Sequence, residues 1–126
     1  LLSGSVAKSM KLTPKIIENI YAMLYCCEPF ASWDLPLPEE CKFIVDSDFD
    51  AMGTYLYDDG EKHAHTITIS DARCGHLDTV IRTMAHEMIH ASRWNTSTQA
   101  WTKHDKTFRN RAKMVATELG FDPLEL

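Results

Sequence analysis

The run His86-Glu87-Met88-Ile89-His90 sets two imidazoles four residues apart, with a carboxylate beside the first. Four residues of α-helix turn about 400° and rise about 6 Å, so both rings leave one face, one turn apart. A single Zn²⁺ can take a nitrogen from each. Glu87 lies about 100° round the helix from His86, where it reaches a water on the metal rather than the metal itself. Zinc lowers the pKa of such a water toward about 7, and the carboxylate takes its proton and later delivers it to a leaving amine. That is the chemistry of peptide hydrolysis. Five letters with three fixed also recur by chance, as helices whose histidines face solvent or bond internally. The amphipathic helical pattern around this run favours the first reading.

A catalytic zinc usually has three protein ligands and one open position. The arrangement H-E-x-x-H-x-x-G-x-x-H would need glycine at 93 and histidine at 96, where this chain has Arg93 and Thr96. A glutamate ligand from a following helix would have to be Glu118, far along that helix. Asp105 reads better as a helix-start residue, or as a partner standing behind the ligands. His104, 14 residues beyond His90 at a loop–helix junction, is the expected third ligand.

Positioning these residues requires a scaffold, and the sequence sketches one. Thr13-Pro14 is a helix start, with Ile16, Ile17, Ile20, Tyr21 and Leu24 following at helical spacing before Pro29. The proline-bearing stretch Asp34–Glu40 reads as a loop. Cys41–Asp46, Thr54–Tyr57 and His65–Ser70 read as strands, the last two joined by hairpin-turn residues at Asp58–Glu61. A second helix is expected from Thr79 to about Trp94, with Val80, Ile81, Met84, Ala85, Met88 and Ile89 on its apolar face. A third runs from Asp105 to Leu119 and is capped by Gly120. The expected fold class is α+β: a small three-stranded sheet with an N-terminal helix, an active-site helix and a C-terminal helix. An extended peptide should pair with an exposed strand, for which His65–Ser70 is the expected platform.

The stretch Thr83–His90, the long gap to His104, and Phe108 four residues on resemble the SprT-like (Spartan-type) zinc metallopeptidases. The strand-like His65–Ser70 and the closing Glu118-Leu119-Gly120-Phe121 fit the same plan, and the resemblance covers about residues 10 to 122. It implies a minimal zincin-like domain in which His86, His90 and His104 hold Zn²⁺ and Glu87 is the catalytic base. Its substrate would be a protein or peptide, and DNA association is a further implication. Asp105 stands where the family often has glycine, and no cysteine zinc ribbon follows in this chain.

Composition sets bounds on these readings. The 126 residues suit one domain, expected over 10–126, with 1–9 read as a tag or extension. Hydrophobic residues make up 44% and charged residues 25%, ordinary for a globular protein. No apolar run approaches a membrane span, and no secretory signal is evident, so a cytoplasmic location is expected, with Cys26, Cys27, Cys41 and Cys74 as free thiols. A net charge of −5 argues against strong nonspecific nucleic-acid binding. The charge is segregated, however. Asp34 to Glu61 holds nine acids and one base, whereas Ala72 to Thr117 holds eight bases and three acids.

Lys106, Arg109 and Lys113 recur at helical spacing, either as a solvated face or as a weak contact for single-stranded DNA. His63 and His65 could share a strand face as a metal pair, though a solvated hairpin edge is the plainer reading. His76 suits a capping or surface place. Trp94 and Trp101 bracket the loop between the ligands as packing anchors. Tyr55, Tyr57 and the arginines are all candidates for stabilising an oxyanion. The competing function is a zinc-stabilised protein- or DNA-binding module without turnover. Glu87 argues against it, because binding metal needs the histidines and not this carboxylate.

Overall fold

The computed structural model describes residues 10–48, 50–96 and 99–126, so the expectation for residues 1–9 lies outside it. The chain forms three α-helices and a three-stranded sheet, in the order helix, three strands, helix, helix. The expected α+β class is what the chain forms.

Helix α1 spans Pro14–Tyr25 and starts where its cap dictates, with Thr13 Oγ1 accepting from the Ile16 N–H at 3.2 Å. It buries Ile17, Ile20, Tyr21 and Leu24. The Tyr21 hydroxyl donates to the Pro36 carbonyl at 2.5 Å, which ties down the proline-bearing stretch. That stretch carries one short 3₁₀ turn, Pro38–Glu40, just ahead of the sheet.

The strands are β1 (Cys41–Asp46), β2 (Gly53–Tyr57) and β3 (His65–Ser70), laid out in the order β1-β3-β2. β2 and β3 form the expected antiparallel hairpin, with Gly53 opposite Ile69 and Tyr57 opposite His65. The Asp58 N–H donates to Ala64 O at 2.8 Å, and Asp58 Oδ1 accepts from the Gly60 N–H at 3.0 Å to turn the chain. β1 pairs with β3 in parallel, Cys41 opposite His65 and Asp46 opposite Ser70. The chain therefore crosses from β1 past the place of β3 before doubling back.

This order overturns the expectation that His65–Ser70 is a platform for an extended peptide. β3 is the central strand, and its backbone groups are committed on both sides. Among the described residues no strand pairs with the outer edge of β1 or of β2, and these are the edges left for a guest.

Helix α2 spans Leu77–Ala91, starting two residues before the expected Thr79 and ending three before Trp94. His76 occupies its N-cap position, exposed and making no side-chain cap bond, which agrees with the surface reading. α2 packs against β2, β3, α1 and the third helix, and Val80, Met84, Met88 and Ile89 are fully buried. Burying one such side chain is worth about 1.5–3 kcal/mol. α2 is thus firmly held, which suits the helix that carries the histidine pair.

Helix α3 spans Lys106–Leu119. Asp105 caps it by accepting from the Phe108 N–H at 3.0 Å, and Gly120 ends it in the left-handed conformation at φ 82°. A short 3₁₀ turn, Pro123–Glu125, follows. No helix among the described residues is long and apolar enough to cross a membrane. All four cysteines are free, Cys41 and Cys74 buried and Cys26 exposed.

Candidate metal centre

α2 presents His86 and His90 one turn apart on the face that meets the start of α3, and His104 arrives there from the loop. His104 Nε2 lies 3.2 Å from His86 Nε2 and 3.1 Å from His90 Nε2. Phe108 closes the back of the cluster, its ring centroid 4.6–5.0 Å from all three imidazoles.

Hydrogen bonding alone does not account for this meeting. A neutral imidazole nitrogen offers one N–H or one lone pair, so His104 Nε2 cannot satisfy two facing nitrogens at once. A cation between the rings would engage all the lone pairs together. Tetrahedral ligands at about 2.0–2.1 Å from zinc lie roughly 3.3 Å from one another, close to the spacing found. The three side chains fit a metal ion.

Their protonation favours ligation as well. Burial first, then the neighbouring His86 and His104, push the His90 pKa down to about 4. Burial likewise lowers that of His86. Both rings are therefore neutral at pH 7, and a metal has no proton to displace from their lone pairs. His86 Nδ1 meets the Leu126 carbonyl at 2.9 Å. His90 Nδ1 is buried with no partner in hydrogen-bond geometry, although the nearby Trp101 backbone mildly favours its proton.

Glu87 is 5% exposed, and burial alone raises its pKa to about 8. A cation on the adjacent histidines would act in the opposite direction, because a nearby positive charge favours the carboxylate. Glu87 borders an open cleft with two lobes. One, of about 270 Å³, is lined by Met52, Arg82, Thr83 and Leu126 among others. The other, of about 250 Å³, is lined by Thr54, Tyr55, Trp101 and Thr102 and includes all three histidines. Gly53, His86 and Glu87 border both lobes, so the cleft passes between the β2 edge and the histidine cluster.

The start of α3 is fixed by one side chain. Asp105 caps the helix and also takes a two-pronged ion pair from Arg93, at 2.5 and 3.0 Å. The Arg93 guanidinium and the Phe108 N–H hold its carboxyl down at about 2. Asp105 therefore stands behind His104 and outside the metal cluster. Glu118 is exposed near the far end of α3 and is likewise no part of it.

The remaining candidates sort by what they touch. His65 is buried, and its Nδ1 shares a 2.7 Å hydrogen bond with the Tyr55 hydroxyl. It is therefore neither half of a metal pair nor on a solvated edge, while His63 is exposed in the hairpin loop. The bond holds the Tyr55 hydroxyl against His65, and its proton is free for an oxyanion only in the tautomer in which His65 Nδ1–H donates. Tyr57 packs against His65, Trp94 and Trp101. Trp94 Nε1 donates to the Asp34 carbonyl at 3.0 Å. Arg93 is bound to Asp105, and Arg111 lies 4.7 Å over the Trp33 ring while donating to Ser92 Oγ at 2.6 Å. Sequence reasoning missed two contributors, Gly53 and Leu126. A glycine beside a strand is a weak signal, and a backbone carbonyl gives none.

An α+β domain with three convergent histidines and a buried glutamate on the pair-bearing helix defines a class, that of metallopeptidase-like folds. The SprT-like family model matches residues 38–124, and the chain belongs to the SprT-like family. No curated protein and no solved structure matches the chain.

Proposed function

We propose that this domain is a zinc-dependent endopeptidase, with His86, His90 and His104 holding the metal and Glu87 as the general base. The observation that carries the reading is the buried carboxylate of Glu87 between that histidine cluster and a cleft open along a free strand edge. A zinc ion held there supplies a Lewis acid that polarises the scissile carbonyl and acidifies water. Glu87 accepts the proton of the attacking water and returns it to the leaving amine. The outer edge of β2 offers unpaired backbone groups that would hold a peptide extended, so that one of its carbonyls faces the histidines. Gly53, which has no side chain, lets this strand approach α2 closely at Glu87.

Weak contact with single-stranded DNA through Lys106, Arg109 and Lys113 is part of the proposal. All three are exposed on α3, and Arg109 and Lys113 line a groove that also includes His104.

Glu87→Gln tests the central claim. The amide keeps size and shape but cannot accept the proton. Zinc content and fold should persist, while cleavage of an unstructured protein falls by about 10²–10⁴. A variant that cleaves as fast as the parent would remove Glu87 from the mechanism, whereas a zinc-loaded parent that cleaves nothing would leave a metal-stabilised binding module as the better reading.

A further inference from the structure

We propose that the Asp122–Leu126 turn is a positioning element for His86, its Leu126 carbonyl fixing that ring as the Nδ1–H tautomer with Nε2 free for a metal. The proposal rests on the metal reading above and deepens it.

A carbonyl oxygen only accepts. The 2.9 Å contact between Leu126 O and His86 Nδ1 therefore requires the proton on Nδ1. The lone pair is then left on Nε2, the atom that faces His104 Nε2 at 3.2 Å. Histidines that ligate metals characteristically donate their second nitrogen in this way, which orients the ring and raises its basicity. His90 Nδ1 has the Trp101 backbone nearby but outside hydrogen-bond geometry, so the tighter contact is that of His86.

The turn is built to hold its carbonyl in place. Gly120 redirects the chain at the end of α3, and the Phe121 N–H returns to the Ala116 carbonyl at 3.1 Å. Asp122 Oδ1 accepts from the Leu124 N–H at 3.0 Å, and the Asp122 carbonyl accepts from the Glu125 N–H at 2.9 Å. Arg82, one turn before His86 on α2, reaches Glu125 at 3.9 Å and joins the turn to the helix it serves. Leu126 itself packs partly against the core. The family match stops at 124, so the contact comes from beyond the matched stretch.

Two variants test this: the chain lacking Glu125 and Leu126, and the Asp122→Ala/Pro123→Gly double substitution, which loosens the turn and changes no residue that touches His86. Zinc affinity is measured by competition with a chromophoric chelator. The His86 tautomer is read by long-range ¹⁵N–¹H NMR on the metal-free parent, where no bond from Nε2 to a metal dictates it. We expect zinc to bind about 10–100-fold more weakly in both variants, and a protonated Nδ1 on His86 in the parent. Affinity within about twofold of the parent in both variants, or a parent ring without a proton on Nδ1, would overturn the role of the turn. A parent that takes up no zinc would overturn the metal reading itself, a separate and recognisable result. Should either variant fail to fold, the parent NMR spectrum still decides.

Discussion

Below about pH 6.5, the ordinary histidine pKa, a neutral buried histidine works against its own fold. His65 is such a residue. Burial lowers its pKa, with Glu40 opposing only in part, and its Nδ1 is engaged by Tyr55. The unfolded chain therefore takes up a proton before the folded one does. The stability His65 contributes is full above about pH 6.5 and is lost as pH falls toward its lower folded pKa. His65→Asn keeps a polar atom near Tyr55 and removes the titration. Parent and variant in the same metal state, unfolded by urea from pH 7 to pH 5, should draw closer in stability as the pH falls. A gap that stays constant would show that His65 is not held neutral. Among single residues, the histidine pair and Glu87 were legible because helical spacing alone places both histidines on one face and Glu87 at its edge. His104 was reached by elimination and resemblance, since nothing local marks a loop histidine as facing a helix 14 residues earlier. The burial of His65 was not legible, because alternation on a strand does not say which face meets the core.

Gly53 shows how one element sets another's position. A Cβ at this residue would lie 2.9 Å from Thr83 Cγ2, 3.0 Å from the Thr68 carbonyl oxygen and 3.3 Å from Glu87 Cγ. β2 and α2 thus approach as closely as a bare backbone permits, and the gap sits at Glu87. Gly53→Ala should cost about 1–3 kcal/mol through overpacking, seen as a lower urea midpoint at unchanged slope. The Thr68 oxygen is backbone and cannot rotate away, so the strain falls on Thr83 and Glu87. Cleavage should therefore drop while zinc content holds. An alanine variant with parental stability and activity would mean that the elements separate freely, contrary to this packing. Helix limits were readable to within a few residues, since caps and breakers such as Thr13, Asp105 and Gly120 act locally. Strand order was not. The hairpin of β2 and β3 has a turn signature, but the parallel pairing of β1 with β3 comes from a crossover whose only trace is spacing. The wrong choice of peptide platform followed directly from that gap.

At the scale of the whole molecule, charge is divided between the sheet and α3. The acids at 46, 48, 50, 58, 59 and 61 border the strands, while Lys106, Arg109 and Lys113 lie exposed on α3, which packs chiefly on α2 and the C-terminal turn. A polyanion on α3 would lie beside the histidine cluster, because Arg109 donates to the His104 carbonyl at 2.9 Å. That bond makes Arg109 a poor choice for substitution, since its loss could move a ligand. Lys106→Ala/Lys113→Ala removes two charges and leaves His104 untouched. Three phosphate contacts give a log–log salt slope of about −2 to −3, and one contact gives a slope near −1. Fluorescence anisotropy with a short single-stranded oligonucleotide, titrated over a range of low salt concentrations, should therefore show weak binding by the parent. The double variant should have the shallower slope at unchanged zinc content. Undetectable binding by the parent, or a slope indifferent to both lysines, would mark the α3 stripe as an ordinary solvated face. Net charge alone could not have foreseen this arrangement, because a balance of −5 averages over two opposite fields that the fold keeps apart.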